Sequence, residues 1–111
     1  MAEFEFSLNI GDNKDEIMKA LSDAVAVGLE AIGLTAEGYA KRYCPVDTGR
    51  LRNSITHGVE NNAAYIGSNV EYAPDVELGT STGRRPRPYL RPAIQNHVAE
   101  YKKLMEDALK S

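Results

Sequence analysis

Apolar and polar residues alternate strictly over residues 3–10, with Phe4, Phe6, Leu8 and Ile10 on one side of the chain. That period of two predicts a half-buried strand. Gly11, Asp12 and Asn13 then turn the chain. Asn13 with Glu16 matches a helix N-cap, where an Asn side chain accepts from exposed amides and the acid favours the helix start. Beyond it the period lengthens. Ile17, Leu21, Val25, Leu29, Ile32, Ala36, Tyr39 and Tyr43 recur every three or four residues, predicting one amphipathic helix of about 30 residues. Lys14, Lys19, Asp23, Glu30 and Glu37 occupy its other face, and Pro45 stops it. Gly28, Gly33 and Gly38 each weaken an isolated helix by about 1 kcal/mol relative to alanine. Their spacing places them on different faces, which predicts close contacts on more than one side, or a bend.

The middle of the chain reads as β structure. Residues 54–60 and 64–68 flank Asn61, Asn62 and Ala63, and asparagine tolerates the left-handed turn conformation. Residues 72–79 fit a third strand or one helical turn, with Pro74 against a central strand. Residues 80–89 form a basic loop stiffened by prolines. Pro92 suits the first turn of a second amphipathic helix, marked by Ala93, Ile94, His97, Val98, Tyr101, Leu104, Met105, Ala108 and Leu109. The fold class is therefore α+β: N-terminal strand, long helix, antiparallel β-hairpin and C-terminal helix, with the helices packed on the sheet. The expected core is Phe4, Phe6, Leu8, Ile17, Leu21, Val25, Leu29, Ile32, Ile55, Ile66, Ile94, Val98, Tyr101 and Leu104.

Length and composition narrow the function classes. At 111 residues, 42% hydrophobic and 26% charged, the chain suits one globular domain over 1–111 with a thin core. No apolar run reaches the length of a membrane span, and the acidic, alternating N-terminus is not the chemistry of a signal peptide. Cys44 is the single cysteine, so neither a disulfide framework nor a thiolate zinc site is expected, and cytoplasmic folding is the simplest expectation. The formal charge of −3 conceals an asymmetry: residues 1–40 carry −6 and residues 41–111 carry +3. Opposite ends of that kind can attract copies head to tail, or can simply be solvated faces.

Candidate chemistry is sparse. Asp47-Thr48-Gly49 matches the catalytic triplet of aspartic proteases, and a short chain could supply half of a dimeric site. The context argues against it: the triplet follows a long helix rather than an apolar strand, and Arg50 favours ionised acids over a shared proton. A turn with Gly49 at positive φ explains the same residues. Cys44 with His57 or His97 could form a thiolate–imidazole pair, but a helix C-terminus works against thiolate formation, and His97 lies on an apolar stripe. No cofactor motif or metal-ligand spacing is present. The stronger signal is Arg84, Arg85, Arg87 and Arg91 around Pro86 and Pro88, a stiff basic loop suited to carboxylates of a partner protein or phosphates of DNA. A pI near 5.4 favours protein over nucleic acid, with a solvated loop as the bland alternative.

Three segments, taken together, carry a resemblance. Residues 45–55 resemble a Pro-x-Asp-Thr-Gly-x-Leu-x-x-Ser-Ile signature through Pro45, Asp47, Thr48, Gly49 and Leu51. Residues 72–80 resemble Tyr-Ala-x-x-Val-Glu-Phe-Gly-Thr through Tyr72, Glu77, Gly79 and Thr80, with Leu78 in place of the aromatic. Residues 86–93 resemble Pro-x-Pro-Phe-Leu-Arg-Pro-Ala through Pro88, Leu90, Arg91 and Pro92, with Tyr89 for phenylalanine. In order and spacing they are similar to the gene-product-ten-like family of long-tailed phages, small tail-completion or head–tail joining proteins also labelled minor capsid or tail components. The resemblance implies a virion part without enzymatic activity or cofactor, assembled in the bacterial cytoplasm into a ring, expected to be a hexamer. Its implied neighbours are the head connector or stopper on one side and the tail terminator or tail tube on the other, with DNA passing through the lumen and no membrane contact. A tail-terminator ring is the nearest alternative. Contacts to a neighbouring subunit are expected from Arg84, Arg85, Arg87, Arg91, Glu77 and Thr80. Tyr89 and Leu90 are expected to anchor the base of the last helix, with Gly79 and Gly83 as hinges.

Overall fold

A helix of the length the periodicity predicts dominates the computed structural model, which describes residues 14–46 and 49–110. α1 (Lys14–Tyr43) has Asp15 and Glu16 in its first turn and Lys41 and Arg42 in its last, complementing the helix dipole. It is followed by α2 (Arg50–Ser54), β1 (Thr56–Glu60), β2 (Ala63–Gly67), α3 (Ala73–Leu78), α4 (Leu90–Gln95) and α5 (Val98–Lys110). The fold is α+β. The strand expected over residues 3–10, its apolar residues Phe4, Phe6 and Leu8, and the Asn13 cap lie outside the described residues, as do Asp47 and Thr48.

β1 and β2 form an antiparallel pair in which His57 faces Ile66 and Glu60 faces Ala63. The turn between them needs two successive left-handed residues, and Asn61 (φ 53°) and Asn62 (φ 61°) supply them. α1 packs across this hairpin, while α5 runs back along α1 and has α1 as its main partner. Two helix glycines set those approaches. A Cβ on Gly28 would lie 2.7 Å from Met105 Sδ of α5, and one on Gly33 would lie 2.8 Å from the His57 ring of β1. Gly38 faces open space. The described chain measures 62 × 23 × 23 Å with a radius of gyration of 17.8 Å, well above the roughly 13 Å of a spherical domain near this length.

The well-buried core sits at one end of that rod. Ala40 and Cys44 from the end of α1, Leu51, Ile55, Val70, Ala73, Val76, Tyr89 and Ala93 form one cluster. Ile55 is buried as expected, and Leu90 packs partly buried against the cluster. Ile17, Leu21, Val25, Leu29, Ile32, Ile66, Tyr101 and Leu104 are only half-buried. Ile94 and Val98 are corrections: they are 50% and 46% exposed. The cause is a break in the C-terminal helix. The chain turns at Asn96 and His97 between α4 and α5, which rotates the two apolar stripes relative to each other and strands both residues outside. Two other boundaries move as well. Residues 50–54 are a helix, so the strand begins at Thr56 rather than residue 54. Residues 73–78 are helical, with Pro74 in the first turn, where its missing N–H costs nothing.

Candidate interaction site at the motif end

Residues from all three signature segments converge at the core end of the rod. Leu51 from the first, Ala73 and Val76 from the second, and Tyr89 and Ala93 from the third share one buried cluster. Gly49 (φ +83°) precedes α2, so the positive φ expected there is present, but the element that follows is a helix and not a strand. Arg50 grips Glu71 with both terminal nitrogens at 3.2 and 3.0 Å and lies over the Tyr72 ring. That exposed pair is worth little in stability, but it fixes where Tyr72 stands.

Glu77 is the best-used polar residue of the site. Its Oε1 accepts from the backbone N–H groups of Tyr89 (3.0 Å) and Leu90 (2.8 Å), and its Oε2 accepts from Arg91 (3.2 Å). A carboxylate thereby satisfies the exposed amides at the start of α4 and complements its dipole. These bonds give Glu77 a role within the chain, apart from the partner contact expected of it. They tie the second segment to the third within the chain. Thr80 likewise has partners within the chain: its N–H donates to the Arg84 carbonyl, and its hydroxyl accepts from the Arg84 N–H, both at 3.1 Å.

The loop of residues 79–88 is consequently a fixed arm. The Arg87 N–H donates to the Val76 carbonyl at 2.8 Å, tying the arm to α3. Gly79 (φ +77°) is a close crossing that only glycine fits, since a Cβ there would meet the Arg84 carbonyl oxygen at 2.7 Å and Pro86 at 2.9 Å. Gly83 has positive φ and open space around it. Residues 81–88 are all exposed, Pro88 included, as is Arg91. The guanidinium groups of Arg84, Arg85, Arg87 and Arg91 form no ion pair among the described residues. Arg84 and Arg87 line a cavity of about 50 Å³ with Pro45, Gly49, Leu51, Tyr72 and Val76. Val46 and Leu78, 51% and 63% exposed, add apolar surface at the same end. Pro92 lies in the first turn of α4.

Tyr89 is fully buried, as the anchor reading requires, but its hydroxyl has no hydrogen-bond partner among the described residues. Burial pushes its pKa up to about 12, with Cys44, Glu77 and Tyr72 adding to the shift. Burial likewise raises the Cys44 thiol, whose Sγ donates to the Pro45 carbonyl at 3.4 Å. Neither histidine approaches it as a base. His97 stacks on Tyr39 at 3.5 Å between ring centres and meets the Tyr43 hydroxyl at 2.5 Å through Nε2. His57 sits on α1 between two carboxylates, with Nε2 2.6 Å from Glu30 and Nδ1 2.9 Å from Glu37. Those acids, with Glu30 the larger influence, raise its pKa against an opposing desolvation. Glu30 and Glu37 flank Gly33 at helical spacing, which was the one available signal for this clamp.

Among the described residues no cluster of three or more His, Cys, Asp or Glu side chains is arranged to hold a metal ion, and no helix is long and apolar enough to cross a membrane. A scan against protein-family models, a search of curated proteins and a search of solved structures each found no match.

Proposed function

We propose that this chain is a structural assembly protein of a long-tailed phage or prophage, one subunit of a ring at the head–tail junction. The observation that carries the proposal is the convergence of the three signature segments on one end, where their apolar residues make the core and their arginines are left projecting. A catalytic site needs a polar constellation aimed at a cavity. Here half-buried Glu77 and Thr80 bond within the chain, and what remains outside is a basic arm beside exposed Val46 and Leu78. Such a surface suits a protein interface, with aliphatic contact and guanidinium pairing side by side. The joining role and the virion location come from the family resemblance.

The competing enzymatic reading is a dimeric Asp-Thr-Gly protease. Its triplet lies between α1 and α2, so helices flank it on both sides. The deciding experiment replaces Arg84, Arg85 and Arg87 together by alanine. The isolated domain should remain folded, because these side chains make no internal ion pair among the described residues, while incorporation into particles should fail. Normal yields of joined, infectious particles would overturn the assembly role. An Asp47→Asn variant that abolished a measurable peptidase activity with the fold intact would establish the protease instead.

A further inference from the structure

We infer that the cavity beneath Arg84 and Arg87 is a carboxylate-binding site whose occupant is the acidic first turn of α1, Asp15 and Glu16, from a second copy of this chain. The inference rests on the ring assignment above and adds which two surfaces meet. The receptor side is built before any partner arrives. Backbone hydrogen bonds from Thr80 to Arg84 and from Arg87 to Val76 hold both arginines on a fixed arm. Leu51 and Val76 give the cavity an apolar wall. A volume of about 50 Å³ leaves room for one compact group such as a carboxylate, where about 10–15 Å³ on the same measure holds a water. Planar guanidinium forks beside an apolar wall match a carboxylate, and their charge gains strength as water leaves on binding.

The donor is chosen by charge and position: among the described residues Glu60, Asp75 and Glu106 are also exposed and unpaired, but only Asp15 and Glu16 form an adjacent unpaired pair. Lys19 is taken by Asp23 and Lys103 is within reach of Asp107. Asp15 and Glu16 are exposed and make no ion pair among the described residues. They cannot reach their own cavity. Between Glu16 and Pro45 the chain runs almost entirely as helix, and at about 1.5 Å per residue that separation is about 40 Å. Two cavities facing each other would oppose arginine to arginine, so the cavity of one copy meets a helix start of another and not a second cavity. Across a two-fold that contact would be made twice by two antiparallel rods; made once per interface it runs head to tail, the kind that closes into rings when its rotation permits, and the ring assignment selects the second. The −6 of residues 1–40 against the +3 of residues 41–111 points the same way.

The test uses sedimentation of the full chain at rising concentration in low and high salt. The wild type should self-associate, less strongly at high salt. R84E/R87E alone and D15K/E16K alone should each weaken association about tenfold or more. Mixed in equal amounts, the two variants should associate again, as should a single chain carrying all four reversals. Circular dichroism of each variant checks that folding is retained. The inference is overturned by a wild type that stays monomeric throughout, by R84E/R87E that associates normally, or by a mixture that fails to recover. It is also overturned if a short DNA duplex, and not a second copy, binds in an Arg84- and Arg87-dependent way. Should R84E/R87E enter particles normally yet self-pair poorly in solution, this contact fails. The ring assignment fails separately, when the chain is absent from particles.

Discussion

Replacing Tyr89 by phenylalanine should stabilise the protein. The ring is fully buried, and its hydroxyl has been taken from water without a partner among the described residues. Leaving a buried hydroxyl unpaired costs about 1–3 kcal/mol, and phenylalanine removes that cost while leaving the ring and its packing in place. A gain of about 1 kcal/mol is expected, which for a domain of this size raises Tm by about 4 °C. The assay is urea unfolding followed by circular dichroism, where the midpoint should rise with an unchanged slope. Tyr89→Ala is the companion variant: it opens a cavity in the same place and should cost about 3–5 kcal/mol. A Tyr89→Phe variant less stable than wild type by about 1 kcal/mol would refute the reasoning, because the hydroxyl would then be contributing a hydrogen bond.

Three further outcomes follow from the same geometry. His57 has its pKa raised by Glu30 and Glu37 from the usual 6.5, so its contribution is present in full below about pH 6.5 and is lost as pH rises through the higher folded value. His57→Gln should abolish that part of the pH dependence of urea stability, and an NMR titration of the imidazole should midpoint above 6.5. Glu37, held low chiefly by its hydrogen bond to His57, contributes above its usual range and loses that contribution as pH falls through its depressed value. Glu77→Ala should cost about 1–2 kcal/mol by uncapping α4, read by thermal unfolding, with Glu77→Gln intermediate. Gly38→Ala, with open space around it, should stabilise by up to about 1 kcal/mol, whereas Gly33→Ala should destabilise by pressing on the His57 ring.

Local pattern was sufficient for much of this fold. The three-to-four repeat from Ile17 to Tyr43, ended by Pro45, marks α1 almost to the residue, and consecutive asparagines at 61 and 62 mark the hairpin turn, because both signals are short-range and backbone-driven. The C-terminal helix was misjudged because apolar spacing continues through Asn96 and His97 although the backbone does not. Stripe arithmetic assumes an unbroken axis, and that assumption put Ile94 and Val98 inside. The core was misplaced for a related reason. Periodicity identifies large aliphatic residues such as Leu21 and Leu29, while the deeply buried positions include Ala36, Ala40, Cys44, Ala73 and Ala93, where elements approach closely. At the candidate site the arginines were legible as a charge cluster. The role of Glu77 was not, since it depends on a long-range crossing between α3 and α4, and that of Thr80 was not because it depends on the path of the loop back to Arg84.

The most direct measurement of the central proposal, a ring subunit of tailed phage particles, is the copy number of this chain in purified tailed particles from the host that encodes it, by quantitative mass spectrometry against the major capsid and tail-tube proteins. A ring subunit at a single junction predicts a small fixed number per particle, a hexamer's worth if the family resemblance holds, lost from particles made with the Arg84, Arg85 and Arg87 alanine variant. Absence from particles, or a copy number that tracks tail length or capsid area, contradicts it.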